Sequence, residues 1–369
     1  PYKTPLGDVY DSGEFQACME QAMKIADWSG FEARRKTSAA NGKLRGRGMA
    51  TYIERCGGGG AETAIAKFDP KRKKVTLYIG NQDNGQAHIT SYTQVVSSAL
   101  DLDSDHIEIV QGDTDLVPAG MTGGSRALPV GGAAMLGVSD KVKAKGKDVA
   151  SRLLEAAVED IEYKDGQFRI VGTDRRASIW DVAEAATDPD MLPEGAAVGL
   201  DEQYTRQPEA PTFPNGCHII EVEIDPDTGM VRIDRYTVVD DFGAIINPLT
   251  LAGQVHGGIV QGLGQALHEY TVYDKESGQL VTGSFMDYCM PKADSFPLFH
   301  FETRNVRCTT NPLGVKGSGE AGCIGASPAV INAVVDALSP LGIRHIDMPA
   351  TPRAIWEAIQ AVRPRAAAE

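Results

Sequence analysis

Phe15, Cys18, Met19, Ala22, Met23 and Ala26 recur at intervals of three and four, which places them on one side of a helix and predicts an amphipathic helix packed by that side. Leu44 to Arg55 and the alternation Val75, Leu77, Ile79 predict strands, the second reached through the turn Asp69-Pro70. Helical patterning runs from about Ile89 to Leu100, then a short strand from His106 to Val110. A long polar, Gly-rich passage to Ala134 follows, and a helix through about Glu159. From Thr187 to Asn215 the periodicity fades while Pro, Asp and Glu accumulate, so a domain boundary is placed there.

Beyond that boundary the same order of elements begins again. Strand Ile219 to Ile224, turn Asp225-Pro226-Asp227-Thr228-Gly229 and strand Val231 to Val239 form a hairpin. Gly85-Gln86-Ala87-His88 opens the earlier helix, Gly253-Gln254-Val255-His256 opens the later one, and both helices end in Ala-Leu, at 99–100 and 266–267. The ordered recurrence is read as an internal duplication. Two such units packed about a pseudo-twofold axis would turn their Gln-bearing loops toward one cleft. Gln supplies both an amide donor and a carbonyl acceptor, and a helix N-terminus favours an anionic group nearby. The alternative is that Gln86 and Gln254 only cap their helices.

With 369 residues the chain is long enough for two or three domains. Hydrophobic residues make up 42% and charged residues 23%, and no apolar run is read as reaching the ~20 residues of a membrane span. Acidic residues outnumber basic ones by 50 to 36, a net charge of −14 that opposes binding to nucleic acid. The opening PYKTPLGDVYDSG shows no charged segment followed by an apolar one, so no secretion signal is read. It starts at Pro1, and a processed or partial chain is expected. The six cysteines (18, 56, 217, 289, 308, 323) contain no CxxC, and the seven histidines no HxxxH or HExxH. Reduced thiols in a cytoplasmic protein are therefore expected, with no thiol-ligated cluster and no protein-ligated zinc.

The 40 glycines cluster in loops that carry the candidate chemistry. Gly112-Asp113-Thr114-Asp115, with Thr122-Gly123-Gly124-Ser125-Arg126, offers unobstructed backbone amides, a hydroxyl and a guanidinium, which suits a phosphate or pyrophosphate. A structural Arg126 paired with Asp113 or Asp115 is the competing reading. The densest stretch, Pro312 to Gly325, leads into Ser327-Pro328, read as an N-cap and first helical residue. Glu320 is the carboxylate of that loop and the candidate general base. Residues 317–322 also match G-x-G-x-x-G, with Asp347 downstream, so a dinucleotide-binding fold is the rival. Against that rival, no strand is read running directly into Gly317.

The ordered set GNQDNGQAH (80–88), GDTD (112–115), TGGSR (122–126), DDFGAIINP (240–248), GQVHGGIVQGLGQALHE (253–269), SFMDY (284–288) and KGSGEAG (316–322) resembles the molybdenum-binding subunit of the xanthine oxidase family. Within that family it most resembles the large chains of aerobic carbon monoxide dehydrogenases, of which it corresponds to the C-terminal half. The resemblance implies an α+β fold of two related subdomains with mixed sheets and packed helices: a helical arm over 1–40, a first molybdopterin-binding subdomain over 41–214 and a second over 215–369. It implies a molybdenum–molybdopterin cytosine dinucleotide with no protein side chain on the metal. Gly85, Gln86, Ala87 and Gln254 would contact the pterin side, Gly124, Ser125 and Arg126 the nucleotide end, and Glu320 would be the general base of a hydroxylation that uses water as oxygen source. Ala87 stands where the family has Gly. The implied partners are the N-terminal half of the subunit and chains carrying 2Fe-2S and FAD, in a dimer of the hetero-oligomer. The substrate stays open among aldehyde, N-heterocycle, purine and carbon monoxide. A non-catalytic fragment that holds no cofactor is the alternative.

Overall fold

The computed structural model describes residues 1–57 and 59–362; Gly58 and residues 363–369, the end of the second subdomain as read above, lie outside it. A short ribbon, β1 (Tyr2–Lys3) and β2 (Val9–Tyr10), precedes helices α1 (Phe15–Ile25) and α2 (Phe31–Ala40) and strand β3 (Leu44–Ile53). The first unit then runs β4 (Glu62–Asp69), β5 (Lys74–Ile79), α3 (His88–Leu100), β6 (Ile107–Val110) and α4 (Ala133–Leu153). After it come a small sheet of β7 (Ile161–Lys164), β8 (Gln167–Ile170) and β9 (Arg176–Ser178), helix α5 (Ile179–Ala185) and strand β10 (Glu202–Arg206). The second unit runs β11 (Asn215–Ile224), β12 (Val231–Asp241), α6 (Pro248–Leu267), β13 (His300–Thr303) and α7 (Ala321–Leu338), and α8 (Pro352–Val362) follows.

The two units share one topology. In each, an antiparallel hairpin (β4–β5, β11–β12) leads through a loop to a helix, and the next strand (β6, β13) lies parallel to the hairpin's second strand. A long helix (α4, α7) then packs on the sheet. A fourth strand completes each sheet antiparallel to the first hairpin strand, giving the orders β10-β4-β5-β6 and β3-β11-β12-β13. Residues 44–53, assigned above to the first subdomain, thus sit in the second sheet, in register with 215–224. The alternation Arg45-Gly46-Arg47-Gly48 explains why. An added Cβ at Gly46 or Gly48 would lie 2.0 Å from the backbone oxygen of Ala333 or Ala329, so the glycine side of β3 seats α7 directly on its backbone. On the other side Arg45 donates to Glu221 at 2.9 and 2.7 Å, and Arg47 stacks over Trp28 and Phe31.

One core lies between the first sheet and α3–α5, including Val75, Leu77, Ile79, Tyr92, Met135 and Val142. A second fills the space under α6 and α7 with Ile220, Val222, Ile224, Ile259 and Ala333. Cys217, Ile219 and Val239, on the opposite side of that sheet, meet Cys18 and Ala22 of α1. Both sides of β11 are therefore covered, which is why nearly all of it is buried.

Two helix starts differ from the sequence reading. Helix α6 begins at Pro248, with the Asn247 carboxamide oxygen accepting from Leu249 and Thr250 N–H at 3.0 Å each, so Gln254 lies inside the helix instead of opening it. Helix α7 begins at Ala321 and carries Pro328 internally. Contact with α6 overrides the proline: Gly322 lies against the backbone of Val255 and Ile259, and Ser327 donates to the Gly262 carbonyl at 3.0 Å. Residues 321–341, mean hydropathy 1.5, also have the length and apolarity of a membrane span that the sequence reading passed over, but the helix is packed between β3, β11 and α6 in the second core. The dinucleotide-binding rival fails on the same ground: no strand enters Gly317, and both large sheets are mixed.

Candidate functional site

Four loops, two from each unit, converge on one cleft. Gln86, His88, residues 122–129, Phe242, residues 244–247, Gln254 and residues 315–320 line it, and it encloses about 1040 Å³ of space counted with its open mouth. Of the residues singled out above, Gln86, Gly124, Ser125, Arg126, Gln254 and Glu320 are brought together there; Gly85 and Ala87 flank Gln86 just outside the lining. The shared cleft expected from the duplication is present, but only Gln86 reaches it from a loop; Gln254 reaches it from within α6. Asn247, the N-cap of α6, ties the units together by donating to Gln94 of α3 at 3.0 Å.

The Gln86 loop is organised by a residue the sequence reading missed. The Asp83 carboxylate accepts from the N–H groups of Gly85 and Gln86 at 2.8 Å and of His88 at 2.9 Å. Burial alone would raise Asp83, but these donors and the neighbouring His88 hold it below its ordinary value. This loop turns through Gly85 at φ +104° and Ala87 at φ +60°, and a left-handed backbone strains a residue with a Cβ. Ala87→Gly is therefore expected to stabilise the protein by about 0.5 to 1 kcal/mol, the relieved strain offset in part by the freer unfolded chain. Thermal unfolding checks this, and an unchanged or lower Tm would show that the loop carries no such strain.

Gly124 and Ser125 are also left-handed, at φ +57° and +51°. The Arg126 guanidinium is 4% exposed and turned inward, with Nη1 3.3 Å from Glu62 and Nη2 donating to the Gly60 and Ala61 carbonyls at 2.9 and 3.2 Å. Its ion-pair partner is thus Glu62, not Asp113 or Asp115, and most of its donors fasten the loop from within. Loop 316–320 is anchored by Lys316, whose ammonium sits 2.7 Å from Asp241 with both side chains buried. A Cβ at Gly317 would come within 2.6 Å of Ser125 and 2.8 Å of the Cys56 side chain, so this loop rests directly on both. Glu320 stands exposed at the lip, its side chain capping nothing.

Behind Ser125 lies another carboxyl that sequence reading missed. Glu54, at the end of β3, is buried and accepts from Ser125 Oγ at 3.1 Å. Burial pushes it up to about 7, the Glu320 carboxyl adds to the rise, and hydrogen bonds from Cys56 and Ser125 offset part of it. No group of three or more His, Cys, Asp or Glu suited to a metal ion occurs among the described residues.

The molybdopterin cofactor-binding domain family matches residues 21–297. The chain belongs to that family. It is 31% identical to the carbon monoxide dehydrogenase large chain of Hydrogenophaga pseudoflava over 98% of its own length and 46% of the relative's. To the nicotine 6-hydroxylase large subunit of Paenarthrobacter nicotinovorans it is 36% identical, over 98% and 46%. The solved quinoline 2-oxidoreductase of Pseudomonas putida 86 superposes with a TM-score of 0.89 at 31% identity, over 98% of this chain and 47% of that one. The chain spans about half the length of the curated relatives it matches. Its fold is that of the molybdopterin-binding subunits of the xanthine oxidase family, as the motif resemblance implied.

Proposed function

We propose that this chain forms the cofactor-holding half of a molybdenum hydroxylase that oxidises a carbon centre of a small molecule. The observation that carries the reading is the single cleft into which both units deliver their equivalent loops, with Gln86 and Gln254 in its wall and Glu320 at its lip. The donors there fit a molybdenum–pterin dinucleotide. Gly85 and Gly124 have open space where a Cβ would stand, so backbone can approach a ligand closely. His88 Nδ1 in the wall is buried without a partner. Gln86, with Gly85 and Ala87 shaping its loop, and Gln254 would hold the pterin side by amide hydrogen bonds. Gly124 and Ser125 would receive the cytosine dinucleotide's pyrophosphate on backbone N–H groups, with Arg126 bracing their loop. When bound, the cofactor supplies two-electron oxidation with water as the oxygen source. Glu320 holds or takes the proton released at the reacting centre, as a general base within reach of the cleft.

The remaining half of the relatives' length would close the open side. Leu249, Phe285, Met286 and Leu298 are 83–97% exposed, and such a cover would bury apolar side chains of this kind. Chains bearing 2Fe-2S and FAD would take the electrons onward, in a cytoplasmic dimer of the hetero-oligomer. The competing reading is a fragment that folds but holds no cofactor. Molybdenum assayed in the purified chain, alone and co-produced with a companion supplying the missing half, separates the two. Near-stoichiometric metal with the companion is expected; metal in neither preparation would overturn the proposal.

A further inference from the structure

Glu54 has no part in the function as drawn above, yet its surroundings are built. It follows the last residue of β3, and its own N–H donates to the Pro214 carbonyl at 3.0 Å. Two residues on, Cys56 is bridged to Thr212 by a mutual backbone pair, and Gly57 N–H donates to the Gly124 carbonyl at 2.9 Å. The strand end is thereby pinned beneath both loops that flank the lip, loop 122–126 through Gly124 and loop 316–320 through the Gly317 contact. Glu54 is 8% exposed, and no Lys, Arg or His forms an ion pair with it among the described residues. Ser125 Oγ satisfies Oε1, while Oε2 is buried without a donor. Glu320 follows Gly319, where an added Cβ would lie 3.3 Å from that same Ser125 Oγ, and its carboxyl is among the groups that raise Glu54.

Two carboxylates cannot hydrogen-bond to each other, because neither has a proton to give. One proton between them turns the contact from repulsion into a charge-assisted hydrogen bond. Burial decides which side holds it: Glu54 is enclosed and Glu320 is open to the cleft, and removal from water disfavours the charged form. We propose that Glu54 is a positioning residue for Glu320, held beside it as a neutral acid whose O–H donates to the Glu320 carboxylate and aims it into the cleft. The inference rests on the reading of Glu320 as the base, but the coupling of the two carboxyls stands apart from it.

The titratable groups that face Glu54 are Tyr52 on its own strand, Cys56 just beyond it, and Glu320 on the loop opposite; burial keeps both Tyr52 and Cys56 neutral. A carboxyl raised from its ordinary ~4.3 to about 7 stays protonated below that pH and ionises above it. Infrared titration of the purified protein, labelled with ¹³C at the Glu carboxyls, reads this directly. A protonated-carboxyl band with a midpoint near pH 7 is expected in the wild type and is absent in Glu54→Gln. Glu320→Gln removes the like charge and should lower the midpoint by ~1 unit or more. That variant leaves the buried side chain untouched, so it reports even where Glu54→Gln fails to fold. In the complete, cofactor-loaded assembly, Glu54→Gln keeps an N–H to donate and should retain turnover within a few-fold. Glu54→Leu should lose ~10-fold or more from misplacement of Glu320, and the change in rate that accompanies Glu54 ionisation in the wild type should vanish from the Glu54→Gln pH profile. A midpoint that ignores Glu320→Gln overturns the pairing. Normal turnover in Glu320→Gln would instead sink the assignment of the base and leave the coupling standing.

Discussion

In a complete assembly loaded with cofactor, Glu320→Gln is expected to lower turnover ~10²-fold or more while molybdenum content barely changes. The size follows from what a positioned base contributes when its proton transfer is under way, and the selectivity from where Glu320 sits. Its backbone occupies the N-cap of α7, where its carbonyl accepts from Cys323 and Ile324 N–H at 3.0 and 3.1 Å, but its side chain caps nothing and is exposed at the lip of the cleft. The helix therefore starts equally well with Gln, which keeps the size and hydrogen-bonding capacity and loses only basicity. An interaction made chiefly in the transition state affects rate and leaves cofactor affinity alone. Metal analysis beside steady-state kinetics separates the outcomes. Loss of molybdenum would recast Glu320 as a cofactor-holding residue, and unchanged turnover would remove it from the chemistry.

The elements that the sequence shows clearly are those whose pattern is local. Alternation over 74–79, the Asp225–Gly229 turn and the stripe of α1 each follow from neighbours two to four residues apart, and each is present, except that Phe15 at the head of the stripe is exposed. What stayed hidden depends on contacts distant in sequence. Nothing around Leu44–Ile53 says that its partner is a strand some 170 residues later; the spaced glycines that admit α7 become legible only once α7 is there. Pro328 looked like a helix start because a proline is costly inside a helix, and the close glycine-mediated crossing of α6 and α7 compensates for it. Strand β10 is too short and too polar to stand out in a segment rich in Pro and acid.

The site divides in the same way. Its loops were visible because backbone approach to a ligand calls for glycine, and the cleft gathers Gln86, Gly124, Ser125, Gln254 and Glu320. The carboxyls that organise it were not visible, since a Glu or Asp reads alike whether buried or solvated. Glu54, Asp83 and Glu62 acquire their parts from Ser125, three backbone amides and Arg126 respectively. A local signal existed only for Asp83, an Asp ahead of Gly and a helix start, where its side chain can accept from the N–H groups that follow.

The loop that carries Glu320 depends on a buried charge, and Lys316→Met should expose that dependence as a loss of about 3 to 5 kcal/mol, the range for breaking one side of a buried ion pair. Lys316 Nζ is 2.7 Å from Asp241 Oδ2 and 3.2 Å from the Ser12 carbonyl, with neither side chain of the pair open to solvent. Methionine fills a similar volume, so the cost is chiefly the stranded carboxylate and not a cavity. Asp241 cannot move out to water, because its Oδ1 also accepts from Gly243 and Val306 N–H at 2.9 Å each, holding the end of β12 and the approach to the loop. Adding Asp241→Asn, which keeps the acceptor for both N–H groups and removes the charge, should recover a large share of the loss. Denaturant unfolding of the two variants and the wild type measures this. A single variant as stable as the wild type, or a double variant no better than the single, would show that the pair does not hold the loop.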